Sequence, residues 1–165
     1  MTDRITPKLL LIHLNGDLFA ISVRHLAAWL RAQGIEVHIL FVPTEHVGYR
    51  PHEGEEMTRP IAPARIDALC TWAKPFDLVG ISVLSHQMIP RARQITRALR
   101  ERIGSPVIWG GVPVICQPGE FVDEADYICT GEGEETLHEA AARVAAGESL
   151  KDLRGIGFRA AGGGA

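Results

Sequence analysis

The sequence predicts an α/β domain built on a doubly wound, mostly parallel sheet of five strands. Short apolar segments alternate along the chain with amphipathic helical patterns, which is the order of elements in folds made of βαβ units. The apolar segments are nearly continuous rather than interleaved with polar residues, and this is typical of strands buried on both faces of a parallel sheet. A chain of 165 residues is long enough for one such domain with its own core.

The predicted elements follow one another in a regular order. The five strand segments are KLLLIHL (8–14), IEVHILFV (35–42), DLVGISVL (77–84), PVIWGG (106–111) and ADYICT (125–130). Helical patterns occupy residues 18–33, 61–73, 90–103 and 134–146. The connection between the fourth and fifth strands is short and interrupted by proline, so a stunted helix is expected there. Five strands in this arrangement fit the flavodoxin-like (Rossmann-like) order 2-1-3-4-5.

Three further features complete the predicted organisation. The helix at 90–103 carries a row of arginines whose simplest interpretation is a solvated basic face: Arg91, Arg93, Arg97, Arg100 and Arg102. Residues 43–60 form a long polar loop of a kind that is often functional or mobile. We expect the domain to span residues 1–159, with a short strand-like piece at 156–159, and residues 160–165 to form a flexible Gly/Ala tail or linker stub.

Composition and charge argue against several classes of function. A net charge of −3 gives no reason to expect a nucleic-acid partner or an anionic membrane surface. The apolar stretch near the start is too short to cross a bilayer, and the first residues lack the core of a signal peptide. A cytoplasmic location is therefore the default expectation. The three cysteines and seven histidines are scattered without metal-binding spacing, so neither a metal site nor an iron–sulfur cluster is predicted in this chain.

The functional site is expected at the carboxyl ends of the strands, because ligands of open parallel sheets bind beyond that edge, near the switch in strand order. Small residues at three of these strand ends leave a broad, shallow surface for a large flat ligand. The candidate site residues are Asn15, Gly16 and Asp17 after the first strand, Ser82, Val83, Leu84, Ser85 and His86 after the third, Gly110, Gly111, Val112 and Pro113 after the fourth, and Gly131, Glu132 and Gly133 after the fifth. The double glycine is the strongest single element, since it permits a positive φ and close backbone approach.

Three other sites found on this fold do not match these loops. A phosphate-accepting receiver domain needs an acidic pair after the first strand and a lysine after the fifth, where this chain has Asp17 alone and Thr130. A nicotinamide site needs GxGxxG after the first strand, whereas the first loop reads NGDLFA and the GxG at Gly131–Gly133 comes after the fifth strand. A flavodoxin needs a phosphate loop rich in serine and threonine, and the first loop, NGDLFA, contains neither.

The motifs at these strand ends, taken in their order and spacing, carry a family resemblance. They are the strand GIS-x-L, the strand end [VI]-x-GG-x-P, the strand DY-[IV] followed by GEGE-x-T-L, and the closing DL-x-GI-x-[FY]-R. Over about residues 8–159 the chain resembles the cobalamin-binding domain that precedes the catalytic barrel in B12-dependent radical SAM proteins.

The resemblance implies a cobalamin cofactor lying across the carboxyl edge of the sheet. The loop at 82–85 would lie near the lower axial face of the corrin, the loop at 110–111 along the nucleotide tail, and the loop at 131–134 over the same region. The loop at 15–17 would touch the edge of the corrin. Carboxylates such as Glu132 suit this ligand because they accept hydrogen bonds from amide and hydroxyl groups, although acids in a first helical turn are also favourable by charge alone.

Two departures from the family pattern change what this chain is expected to do. Relatives that carry methylcobalamin have DxHxxG after the first strand, with the histidine on cobalt, whereas Phe19 and Ser22 stand at the histidine and glycine positions here. We therefore expect cobalt without imidazole ligation from that loop; His86 could also reach the lower face, but a surface or helix-start role is the simpler interpretation. The CxxxCxxC motif of a radical SAM cluster is absent, so no residue is assigned a catalytic role.

Three interpretations follow from the resemblance and stay open at this point. The chain is the cofactor-binding part of a radical SAM methyltransferase or cyclase-type enzyme, with the radical SAM domain in cis or in trans. Alternatively, it is a stand-alone corrinoid carrier or sensor that works with a separate polypeptide, or a degenerate domain that keeps the fold for protein contact and binds no cofactor.

Overall fold

The computed structural model describes residues 6–15, 20–44 and 57–159, and in it six strands form one sheet in the order β2-β1-β3-β4-β5-β6. The strands are β1 (Lys8–His13), β2 (Glu36–Phe41), β3 (Leu78–Ser82), β4 (Val107–Gly110), β5 (Tyr127–Cys129) and β6 (Ile156–Gly157). The first five are parallel to their neighbours, and β6 pairs antiparallel with β5. The predicted doubly wound fold and strand order are confirmed, and the strand-like piece near the end adds a sixth strand.

Six α-helices have both of their ends within the described residues and lie between the strands. They are α1 (Ile21–Ala32), α2 (Pro63–Ala73), α3 (Ile89–Arg102), α4 (Val112–Cys116), α5 (Pro118–Phe121) and α6 (Gly133–Ala145). A single turn of 3-10 helix, His86–Met88, precedes α3. The expected stunted helix between the fourth and fifth strands is present as two short helices, α4 and α5, each with proline in its first turn.

The sheet separates two apolar layers, as the near-continuous apolar strands predict. Alternate residues of β1 show the division, since Leu9 and Leu11 pack with α1 and α6, while Leu10 and Ile12 pack with α2 and α3. The α2/α3 layer is the larger one and contains Trp109, whose indole N–H donates to Thr96 Oγ1 at 2.8 Å. Both of these side chains are buried, so the indole satisfies its hydrogen bond inside the core.

The interpretation of α3 as a wholly solvated basic face is wrong at Arg91. The other four arginines of the row are exposed, but Arg91 is 3% exposed and donates to the Pro43 carbonyl at 3.1 Å. Arg65 donates to the same oxygen at 2.9 Å. Burial lowers the pKa of the Arg91 guanidinium, and the neighbouring Arg65 charge lowers it further. Arg91 therefore ties α3 to the backbone beyond β2, a role that helical periodicity alone does not reveal.

Several predictions fall on residues outside the described ranges. These are Gly16 and Asp17 of the first loop, most of the polar loop at 43–60, and the tail at 160–165. Within the described ranges, no helix is long and apolar enough to cross a membrane. The same residues contain no group of three or more histidine, cysteine, aspartate or glutamate side chains placed to hold a metal ion.

Candidate functional site

The predicted strand ends meet at one edge of the sheet. His13, Ser82 and Gly110 are aligned across β1, β3 and β4 in the parallel register. A Cβ placed on Gly110 would lie 3.7 Å from the Cβ of Cys129, so the end of β5 continues the same row. The described residues that follow these strands therefore lie at a common surface, the carboxyl edge of the sheet.

Gly111 is the position in this surface that only glycine can fill. Its φ is 115°, and a Cβ there would lie 2.1 Å from the carbonyl oxygen of Val83. The adjoining backbone is held close by a hydrogen bond of 2.8 Å from Val83 N to Gly110 O. The expected positive φ is found at Gly111 and not at Gly110, so the two glycines differ in role: Gly111 permits the turn, and Gly110 leaves room beside β5.

An apolar cavity of about 290 Å³ lies between the sheet and the helices α1 and α6, close to these loops. One wall is the α1/α6 face of the sheet, and the other walls come from the two helices. The lining residues are Leu11, Ser22, Val23, Leu26, Gly80, Ile81, Ser82, Leu84, Ile108, Gly110, Gly111, Val112, Ile115, Cys129, Gly131, Gly133 and Leu137. None of these side chains carries a carboxylate, an amide or a basic group, so the cavity is suited to an uncharged, largely apolar ligand part.

The missing side chain at Gly80 lets the Leu11 side chain lie close to this strand on the floor of the cavity. Gly80 lies between Leu11 and Ile108 in the register of the sheet. A Cβ at Gly80 would approach Leu11 Cδ2 to 2.9 Å and Ile108 Cγ2 to 3.8 Å. Glycine in the middle of a buried strand weakens packing and commonly marks a site where a ligand or backbone comes close. Any larger residue at this position would have to displace the Leu11 side chain.

The structure places about half of the predicted site residues on the cavity wall. Those in the wall are Ser82, Leu84, Gly110, Gly111, Val112, Gly131 and Gly133. Val83 and Pro113 are buried, and Val83 belongs to the α2/α3 core on the other side of the sheet. Asn15 is half-buried at the end of the first described segment. Leu84, Val112 and Ile115 are exposed apolar residues and form an apolar rim at the mouth.

His86 is not part of the cavity wall. It begins the 3-10 turn after Ser85, whose carbonyl accepts the Met88 amide at 3.1 Å. The His86 Nε2 atom lies 3.0 Å from Gln117 Oε1, and its ring lies 6.1 Å from the Phe121 ring. These contacts tie the loop after β3 to the loop between α4 and α5, which is the helix-start and surface role expected from the sequence.

The loop at 131–133 lies between the cavity and a second, polar cavity of about 720 Å³. The polar cavity is lined by Ile115, Thr130, Gly131, Glu132, Gly133, Glu135, Thr136, Glu139, Leu153, Arg154 and Gly155. Glu132 occupies the position before the first turn of α6, and its side chain makes no capping hydrogen bond. Glu134 and Glu135 lie in that first turn, where negative charge stabilises the helix end.

The segment before β6 fixes this loop. Thr130 donates its amide to the Gly155 carbonyl at 2.8 Å and its hydroxyl to the same oxygen at 3.3 Å. Gly155 has a φ of 82°, and a Cβ there would lie 2.8 Å from Thr136 Oγ1. This close approach requires glycine at position 155, whereas a Cβ at Gly131 would make an ordinary contact of 3.5 Å with the Gly155 Cα.

Sequence analysis did not identify the helix residues that complete the cavity. Leu26 of α1 and Leu137 of α6 face the cavity, and a Cβ at Gly133 would lie 3.6 Å from Leu26. Cys129 is buried at the end of β5, and burial raises the pKa of its thiol. The sequence signal that could have indicated the floor is Gly80, an isolated glycine inside an apolar strand pattern.

Comparison with known families identifies the class of protein that this fold and edge define. The profile of the B12 binding domain matches residues 7–141, which is most of the chain. The chain therefore belongs to the B12-binding domain family. Among curated protein sequences, none matches the chain.

Two of the solved structures that match the chain illustrate the shared fold. A cobalamin-binding protein from Desulfitobacterium hafniense DCB-2 superposes with a TM-score of 0.58 at 21% identity, covering 84% of this chain and 59% of that one. The methanol:cobalamin methyltransferase complex MtaBC from Methanosarcina barkeri gives a TM-score of 0.56 at 18% identity, covering 87% of this chain and 48% of the matched one. The present chain thus spans about half to three-fifths of the length of these structures.

Proposed function

We propose that this chain holds a corrinoid across the carboxyl edge of its sheet and presents the upper face of the corrin to a radical SAM domain, in cis or in trans. The observation that carries the proposal is the apolar cavity of about 290 Å³ beside the Gly110-Gly111 turn, in a chain of the B12-binding family. When bound, the corrinoid supplies the group-transfer chemistry, and the protein supplies orientation and shielding. The cytoplasmic location stays a prediction from the sequence.

The described residues fit a cobalamin in three respects. The apolar cavity would take the uncharged aromatic base, and the glycines beside its opening would leave room for the nucleotide tail. The apolar rim of Leu84, Val112 and Ile115 would offer an apolar surface to the lower face of the macrocycle. The neighbouring polar cavity supplies Glu132 as an acceptor for amide or ribose hydroxyl donors of the ligand.

The first test is direct binding. The purified chain is mixed with hydroxocobalamin, passed over gel filtration and examined by visible absorption. We expect the corrinoid to comigrate with the protein and its spectrum to differ from that of the free form. A spectrum identical to free cofactor, with no comigration, would favour the degenerate, non-binding interpretation and end the proposal.

The cobalt is proposed to lack an imidazole ligand from this chain. Phe19 stands where relatives carry the ligating histidine, and His86 is engaged with Gln117 and Phe121. We predict that His86→Ala leaves the visible spectrum of the bound corrinoid unchanged, since the cobalt does not use this ring. Phe19→His is the matched gain-of-ligand variant, in which a new imidazole band pattern is expected. A spectral change in His86→Ala would show that the no-histidine proposal is wrong.

The radical SAM partner is a separate part of the proposal and needs its own test. The motif resemblance favours it, while MtaBC, a methyltransferase complex that shares the fold, favours the alternative of a carrier that serves a separate methyltransferase. The corrinoid-loaded chain is incubated with S-adenosylmethionine, reductant and a purified radical SAM domain. We expect S-adenosylmethionine cleavage or methyl transfer that depends on the corrinoid-loaded chain. Exchange of a methyl group only with a corrinoid-dependent methyltransferase would favour the carrier.

A further inference from the structure

The apolar cavity is graded in polarity from its mouth to its floor. The two hydroxyl-bearing side chains, Ser22 and Ser82, belong to the start of α1 and the carboxyl end of β3. Two residues deeper along the strands, the floor row consists of Leu11, Gly80 and Ile108 in register. A ligand part that enters from the carboxyl edge therefore meets its polar partners first and a purely hydrocarbon floor last.

If the base of a corrinoid nucleotide enters this cavity from the carboxyl edge, the side of the base farthest from the ribose would reach the floor. In a benzimidazole that edge is hydrocarbon. In a purine it carries ring nitrogens and an exocyclic substituent, each of which would leave water without a partner on the floor. A buried polar group without a hydrogen bond costs about 1–3 kcal/mol, whereas a hydrocarbon edge gains from the same burial.

We propose that the floor formed by Leu11, Gly80 and Ile108 makes the chain selective for corrinoids with a benzimidazole-type base over corrinoids with a purine base. This inference rests on the proposed function, since it assigns a ligand class to the same site. An apolar pocket rejects a ligand with an added polar group by up to about 10²-fold, which is enough for a measurable preference. The selectivity belongs to the floor, because the mouth offers hydroxyl groups that can serve either base.

The test compares three methyl-cobalt corrinoids by isothermal titration: cobalamin, the analogue with adenine as lower base, and cobinamide, which lacks the nucleotide. We expect cobalamin to bind about tenfold or more tightly than the adenine analogue, the factor that one unpaired polar group produces. Cobinamide is expected to bind more weakly than cobalamin, because it leaves the cavity unfilled.

A matched pair at the floor isolates the cause. Ile108→Val and Ile108→Thr give side chains of similar size that differ by a methyl and a hydroxyl. We expect the preference for cobalamin over the adenine analogue to persist in the valine variant and to fall in the threonine variant, where a hydroxyl can pair with a purine nitrogen. Circular dichroism verifies that each variant is folded. If either variant does not fold, the ratio of the wild-type affinities for cobalamin and the adenine analogue decides the question.

The outcomes separate this inference from the function beneath it. Equal affinity of the wild-type chain for cobalamin and the adenine analogue overturns the selectivity while leaving corrinoid binding intact. Equal affinity for cobalamin and cobinamide overturns it as well, because the base then does not use the cavity. Failure of all three corrinoids to bind overturns the proposed function itself.

Discussion

Gly111 is the residue at which backbone geometry and the candidate site depend most directly on one another. We predict that Gly111→Ala lowers the free energy of unfolding by at least about 1–3 kcal/mol. A φ of 115° is strained for alanine, and the added Cβ would lie 2.1 Å from the Val83 carbonyl oxygen. Urea denaturation monitored by circular dichroism measures this loss. Gly119→Ala is the matched control, since a Cβ there meets nothing within 4 Å and should leave stability equal or slightly higher. An unchanged urea midpoint in Gly111→Ala would contradict the prediction.

The three cysteines report on burial at the residue scale. Cys116 is exposed, while Cys70 and Cys129 are buried, and burial raises the pKa of both buried thiols. Because the thiolate is the reactive form, we predict that iodoacetamide labels Cys116 first at neutral pH. Labelling of Cys129 should accelerate only as the pH rises above the ordinary thiol range, where its raised pKa allows ionisation. Mass spectrometry of peptides after timed labelling provides the measurement, and Cys129 reacting as fast as Cys116 would refute the buried placement.

At the scale of elements, the residue before β6 holds the loop that carries Gly131 and Glu132 in place. Thr130 and Gly155 are joined by two hydrogen bonds, so we predict that Gly155→Ala accelerates amide hydrogen exchange at Thr130. The added methyl would meet Thr136 Oγ1 at 2.8 Å as well as straining a φ of 82°. Gly147→Ala is the matched control, because its φ is 72° but a Cβ there touches nothing within 4 Å.

The same comparison separates strain from displacement of the loop. Both variants should lose about 1 kcal/mol of stability from the positive φ, but only the first should alter exchange at position 130. If Gly147→Ala accelerates exchange at Thr130 to the same degree, the effect comes from general destabilisation and not from the loss of the contact between Thr130 and Gly155. Local exchange is a suitable readout, since it detects opening below the threshold of global unfolding.

The elements that sequence analysis predicted well are those whose signal is local. Five strands and four long helices follow from period and apolar runs, and the strand order follows from the connections between them. The cavity could not be predicted in this way, because it depends on how Leu26 and Leu137 meet the sheet opposite Gly80. The burial of Arg91 depends likewise on a carbonyl 48 positions away in sequence, which helical periodicity does not encode.

At the scale of the whole molecule, the two faces of the sheet are packed unequally. The α2/α3 face forms the larger core cluster and contains Trp109 and Phe121, both fully or almost fully buried. The α1/α6 face contains the cavity of about 290 Å³, whose lining atoms lack contacts on one side. Apolar surface that stays open to solvent contributes no burial free energy, so we expect the α1/α6 layer to be the less stable half and to gain most from an occupant.

This asymmetry leads to a prediction about the ligand-free and loaded protein. In the ligand-free chain, amides of α1 and α6 that exchange through local opening should exchange faster than those of α3, a helix of similar length. Cobalamin in excess stabilises the folded state by mass action, by about 2.7 kcal/mol at a hundred times its dissociation constant. If its base fills the cavity, local exchange in α1 and α6 should slow to the level of α3, while local exchange in α3 stays the same. Cobinamide provides the control, since it offers the corrin without the base. Slowing that is equal on both faces, or equal with cobinamide, would mean that the corrin alone stabilises the domain and that the cavity between the sheet and α1/α6 is not filled by the ligand.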